Sequence, residues 1–163
     1  MIVITTKSDY GMRAAIDLAR HFGSTEPVQV KDIAERQAIP KDFLSLIMVD
    51  LRRGGIVESI RGPRGGYRLT RDPASISMGE ILEVLEGPIQ LLQCMGDAPT
   101  DACSQQVGCH MRSVWSQLTQ TIVSVLYGTT LEQLASPELV EIRAPSRTHE
   151  QDAKQFDRLD ARA

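Results

Sequence analysis

Three cysteines, Cys94, Cys103 and Cys109, fall within sixteen residues, and the first 93 residues hold none. Thiolates are soft donors that suit soft metals and iron–sulfur clusters. The spacing Cys94-x8-Cys103-x5-Cys109 lacks the C-x2-C pairs of a zinc knuckle. Gly96, Asp97, Pro99, Asp101 and Gly108 lie between them and permit sharp bends, so the segment reads as a loop able to gather its thiolates around one centre. Cys109 falls at the expected start of a long helix, where the helix dipole favours the thiolate. The plain alternative is three idle or buried thiols. An odd cysteine count in a chain read as cytosolic argues against a disulfide framework.

A second chemistry is carried by charge. The chain is acidic overall, with a formal net charge of −3. Residues 41–71 run the other way. They contain Lys41, Arg52, Arg53, Arg61, Arg64, Arg68 and Arg71 against Asp42, Asp50 and Glu58. Such segregation is the footprint of a phosphate-facing surface. His21, His110 and His149 form no catalytic constellation, and no phosphate loop or nucleophile motif is present, so an enzyme is not expected. No apolar run reaches the ~18 residues of a membrane helix. Met1-Ile2-Val3-Ile4 is followed by Thr5-Thr6 without the parts of a signal peptide, and a cytoplasmic location is the expectation.

Periodicity shows what must position these groups. In residues 8–22, Gly11, Ala14, Ala15, Leu18, Ala19 and Phe22 fall on one helical stripe. A short helix over 31–37 turns Ile33 and Ala34 inward, and Ala38-Ile39 turns the chain. Pro40 opens a third helix that runs to about Arg53, with Leu44, Ile47, Met48 and Leu51 as its buried stripe. Residues 56–60 and 67–69 read as two strands around a basic, glycine-rich tip at 61–66. Ser77 and Glu80 have capping-box spacing and open a helix to about Glu86. The cysteine loop is placed at 93–109 and a long helix at 110–127, with Val114, Leu118, Thr121, Ile122 and Val125 as its stripe and Trp115 beside it. Thr130 and Gln133 cap a short helix over 131–135, and 136–163 read as a polar, mixed-charge tail.

The expected fold is mainly α with a small β-wing: a winged helix-turn-helix plus a long dimerisation helix, with 1–135 as one regulator domain. An α-helix fits the major groove, and Arg61 and Arg64 on the hairpin can reach phosphates or a narrow minor groove.

Within this series, Lys31-Asp32-Ile33-Ala34-Glu35-Arg36, Phe43-Leu44, Leu51-Arg52, Gly55-Ile56-Val57 and the wing Arg61-Gly62-Pro63-Arg64-Gly65-Gly66-Tyr67-Arg68-Leu69 resemble the bacterial Rrf2 family. That family includes regulators responding to iron–sulfur status, nitric oxide and iron (the IscR-, NsrR- and RirA-like branches). The resemblance implies a homodimer that binds a partly palindromic, double-stranded DNA operator. It implies base contacts from Arg61 in the wing and recognition-helix contacts at Asp42, Phe43 and Ser45, beside the basic Lys41 and Arg52. Some relatives carry Glu-Gln where this chain has Ser45-Leu46, so the operator sequence does not carry across.

The resemblance also implies an iron–sulfur cluster, 2Fe-2S or 4Fe-4S, on Cys94, Cys103 and Cys109. IscR-like members supply a histidine where this chain has Arg112. NsrR-like members use a carboxylate near the start of the first helix of the other subunit, a place held here by Asp9; His110 is a further candidate. The expected function is therefore a transcription regulator whose operator affinity is set by a cluster. Its rivals are a cluster-free thiol-redox or zinc-binding regulator and a winged-helix module that binds protein.

Overall fold

A computed structural model describes residues 4–89, 91, 109 and 111–136. Its first helix, α1 (Thr6–Arg20), begins two residues before the expected start. Thr5 caps the backbone N–H groups of Lys7 and Ser8, and the Thr5 N–H donates to Ser8 Oγ at 2.9 Å. This is a capping box closed by serine instead of the usual Glu or Gln. The helix also ends early, at Arg20, so Phe22 lies beyond it and is 48% exposed instead of closing the buried stripe. The rest of that stripe is buried. A Cβ on Gly11 would come within 2.3 Å of Leu85 Cδ1, so glycine there lets α1 lie directly on a later helix.

The helices α2 (Val30–Gln37) and α3 (Lys41–Arg53) follow. Ala38, in the left-handed conformation at φ 51°, makes the turn between them. Pro40 sits at the N-cap of α3, one residue before the first-turn position its missing N–H suggested. Leu44, Ile47, Met48 and Leu51 are completely buried, and Ile33, Ala34 and Ile39 join them in the same core. The strands β1 (Val57–Ile60) and β2 (Gly66–Leu69) pair antiparallel, with Val57 opposite Leu69 and Ile60 opposite Gly66. A 3-10 turn at Pro73–Ser75 leads into α4 (Met78–Glu86), whose Ser77–Glu80 capping box forms as its spacing predicts.

The core closes through the last two helices among the described residues, α5 (Arg112–Gly128) and α6 (Leu131–Ala135). α6 packs on α1, Leu131 is fully buried, and its N–H donates to Ile76 O at 2.9 Å. Thr130 and Gln133 form the expected box. α5 packs against α4, where the Tyr127 ring lies so close over Gly79 that a Cβ would meet it at 2.6 Å. Burial, a hydrogen bond with Glu83, and the charges of Glu83 and Glu80 push the Tyr127 hydroxyl up to about 12. Leu126 is the one buried residue of α5; Val114 and Leu118 on its long stripe are exposed. Among the described residues, no helix is long and apolar enough to cross a membrane.

One polar contact fastens the first two helices. Asp17 on α1 has a side chain only 3% exposed, and the Arg36 guanidinium of α2 grips it bidentately, Nε to Oδ1 at 3.0 Å and Nη2 to Oδ2 at 2.6 Å. Gln37 Nε2 adds a third bond to Oδ1 at 3.3 Å. Burial opposes the charged form. The hydrogen bonds from Arg36 and Gln37 and the attraction of Arg36 outweigh it, holding the carboxyl below its usual range. A depressed pKa contributes stability above the unfolded carboxyl's ~3.9, and that stability is lost as pH falls through the folded value. Asp17→Asn is therefore expected to cost about 1.5–3 kcal/mol at neutral pH, the range for charge-assisted bonds. The gap from wild type in urea unfolding should shrink below pH ~4. An equal gap at pH 7 and pH 3 would count against the ion pair as its source.

Candidate nucleic-acid interface and cysteine site

A one-residue β-bridge helps to anchor the wing to the helices. Val28, just before α2, exchanges both backbone hydrogen bonds with Tyr67 of β2, at 2.9 and 2.8 Å. A Cβ on Gly66 would sit 2.4 Å from Val28 O, so the glycine lets the two backbones meet. At the tip, Gly62 has φ +127°, and Gly65 N–H donates to Gly62 O at 2.9 Å. The tip is thus a tight, side-chain-poor loop that holds Arg61 and Arg64 outward.

The expected contact residues gather on two neighbouring elements. Lys41, Asp42 and Phe43 occupy the exposed first turn of α3. The Phe43 ring meets Tyr10 of α1 edge-on, with centroids 5.9 Å apart. Ser45 is half-buried and its hydroxyl donates to Lys41 O at 2.9 Å, so its proton is committed within the helix. Arg52 is exposed and reaches Ser59 Oγ of β1 at 3.4 Å, linking α3 to the wing. Arg61 is exposed and, among the described residues, has no ion-pair partner. Arg64 lies 3.3 Å from Glu26, an exposed contact that salt and a competing phosphate would readily break.

The acids within the basic segment are mostly neutralised. Asp50 meets Lys7 Nζ at 2.9 Å, and Glu58 meets Arg68 Nε at 2.6 Å across the two strands. Arg71 pairs with Glu80 at 2.5 Å, which removes it from the candidate surface. The remaining cations can meet a polyanion, and exchange of its counterions would make that contact salt-dependent.

Of the expected metal ligands, Cys109 and Asp9 lie among the described residues; Cys94, Cys103 and the alternative His110 lie outside them. Cys109 is an exposed free thiol. It precedes α5 instead of starting it, because the helix begins at Arg112, whose N–H donates to Cys109 O at 3.1 Å. Asp9 is exposed on the first turn of α1, with Arg13 Nη1 3.7 Å away. The expected tail lies outside the described residues beyond Ser136.

Three positioning features escaped sequence reasoning: the Asp17–Arg36 pair, the Val28–Tyr67 bridge, and the anchor between Ser77 and Thr130. Each joins residues far apart in the chain, and periodicity carries no information about such pairs.

The model of a family described as Rrf2, iron-dependent transcriptional regulators, matches residues 4–137. An HTH-type transcriptional regulator of Synechocystis is 43% identical over 133 residues, covering 80% of this chain and 86% of that one. The HTH-type transcriptional regulator IscR of Klebsiella pneumoniae is 30% identical over 162 residues, covering 98% and 97%. Among solved structures, CymR, the global cysteine regulator of Bacillus subtilis, matches with a TM-score of 0.71 at 34% identity, covering 85% of this chain and 100% of that one.

The anchored wing gives a direct test. Gly66→Ala should push β2 from Val28 and destabilise the protein by about 1–3 kcal/mol, the usual cost of overpacking. Exchange of the Tyr67 and Val28 amide hydrogens should accelerate before that of the core of α3. Unchanged protection at both amides would show that the close approach does not hold the wing.

Proposed function

The chain belongs to the Rrf2 family of DNA-binding transcription regulators, and from that premise we propose that it is a homodimeric regulator whose operator affinity is set by an iron–sulfur cluster on Cys94, Cys103 and Cys109. The observation that carries the cluster reading is the grouping of all three cysteines within sixteen residues, immediately before α5. The two proposed ligands that are described fit the donor set: Cys109 is an exposed free thiol and Asp9 an exposed carboxylate with one distant cation. A bound cluster would supply a centre sensitive to iron, oxygen or nitric oxide.

The cysteines provide three soft donors, and Asp9 of the partner subunit completes the set. Arg112 cannot, because a guanidinium has no lone pair to offer. A carboxylate is a harder donor than thiolate and holds iron more weakly, which makes the site labile, as a sensor requires. Lys41, Asp42, Phe43, Ser45 and Arg52 then face the major groove from α3, with Arg61 and Arg64 on the flanking groove and phosphates.

The dimer seam in this reading is α5. Its seventeen residues give about 26 Å of helix. Met111, Val114 and Leu118 remain exposed along it, an apolar row with no partner inside the described residues. The cysteine segment enters this helix directly, so gain or loss of a cluster there alters how the two α3 helices are spaced.

A second reading has its own support. The likeness to a global cysteine regulator, together with an exposed thiol, favours direct thiol chemistry without a cluster. One experiment separates the two. Protein purified without oxygen should be brown, contain iron and acid-labile sulfide, and lose both when any one of Cys94, Cys103 or Cys109 becomes Ala. Asp9→Ala should keep the colour but shift the spectrum or hasten its loss. A colourless or zinc-only wild type would sink the cluster and leave the thiol reading. A response to His110→Ala in place of Asp9→Ala would reassign the fourth ligand. For the dimer, Leu118→Asp with Ile122→Asp should give monomers in sedimentation and at least tenfold weaker operator binding, estimated on the order of 1.4 kcal/mol per tenfold. Intact dimers would rule out α5 as the seam.

A further inference from the structure

The middle of the outward face of α3 is apolar, where a solvent-facing helix is normally polar throughout. Leu44, Ile47, Met48 and Leu51 turn to the core. Opposite them, at helical spacing, run Asp42, Leu46, Val49 and Arg53. Leu46 is 66% exposed, Val49 one turn later is half-exposed, and Phe43 beside them is also exposed. Core packing does not explain Leu46, because the buried stripe is complete without it.

The charges around this strip indicate its occupant. Lys41 and Arg52 lie toward its two ends on the same helix, and Arg61 projects from the neighbouring wing. Asp50, the acid nearest the strip's far end, is held by Lys7 at 2.9 Å and lies 3.8 Å from Arg53. Ser45 has already spent its hydroxyl proton on Lys41 O. The strip is therefore apolar along its middle, with the Asp42 carboxylate at one end and the Arg53 guanidinium at the other. A protein surface matching it would need an apolar ridge with acidic groups beyond its ends. The major groove presents that pattern directly: phosphates border it on both sides, and the apolar group on its floor is the C5-methyl of thymine.

We propose that Leu46, with Val49 behind it, reads thymine methyl groups in the major groove and is a specificity-determining contact for this chain's operator. The inference rests on the DNA-binding reading but not on the cluster, and its test separates the two.

Duplexes are first selected from a random double-stranded library with the full-length protein. The best binder is then remade with deoxyuridine in place of thymidine, which deletes the methyl groups and keeps every hydrogen-bonding group. Wild-type protein should bind the uracil duplex about four- to fifteenfold more weakly, as expected for one or two methyl groups removed from apolar contact. Leu46→Ala should bind the thymine duplex about as weakly as wild type binds the uracil one, and should distinguish the two less than about twofold. Arg61→Ala serves as the comparison: it should weaken both duplexes while keeping the methyl preference. Equal wild-type affinity for the two duplexes overturns the proposal, as does full methyl preference in Leu46→Ala. Failure to enrich any duplex removes the DNA-binding reading itself, and this inference with it.

Discussion

The buried carboxylate of Asp17 is the constraint on which the reading surface depends. It accepts three side-chain hydrogen bonds from consecutive residues of α2, Arg36 and Gln37, while its own helix forms one wall of the core. A carboxylate this buried is tolerable only if its charge is met, so α2 can dock on α1 in one orientation. Arg13 reinforces this by donating to Gln37 O from the turn of α1 before Asp17. α3 leaves α2 through the single left-handed Ala38, and the wing is hung from Val28 at the other end of α2. Fixing α2 therefore fixes both α3 and the wing. The two elements that would meet DNA take their positions from one ion pair in which neither would take part.

The charge pattern becomes more selective in three dimensions than in the chain. Seven cations in residues 41–71 suggested a broad basic face. Arg68 and Arg71 are drawn into pairs with Glu58 and Glu80 that brace the wing and cap α4. Burial resists the charge on Glu80, and bonds from Ser77 together with Arg71 more than offset it, keeping that carboxyl below its usual range. What remains is a smaller group at the first turn of α3, at its end and at the wing tip. An acidic protein can thus present a positive edge without a positive net charge.

Most of the fold was legible because it rests on repeated local signals. The stripe of α3, the stop at Gly54, and the capping boxes of α4 and α6 each stand where their residue pattern puts them. The misplacements are small and have local causes. The start of α1 was hidden because Ser8 does the work that Glu or Gln does in the familiar box. Phe22 fitted the helical period, but the helix ended before reaching it. The Val28 bridge is one residue long and cannot show a two-residue alternation. The contact surface was legible in composition, but not in which of its cations are already engaged. The apolar outward residues of α3 were in the sequence as well; the structure adds that Leu46 stays exposed, with no other element among the described residues packed over it.

Closure of the core by α6 sets a condition on how the protein is made. α1, at the start of the chain, is covered by a helix that ends at Ala135, and Leu131 seals the join beneath Ile76. During vectorial synthesis, α1 to α4 emerge well before their last wall exists, and the cysteine segment emerges between the two halves of one core. Joining α6 to α1 therefore closes a loop of more than a hundred residues, a long-range step whose chain entropy must be met before the contact stabilises anything.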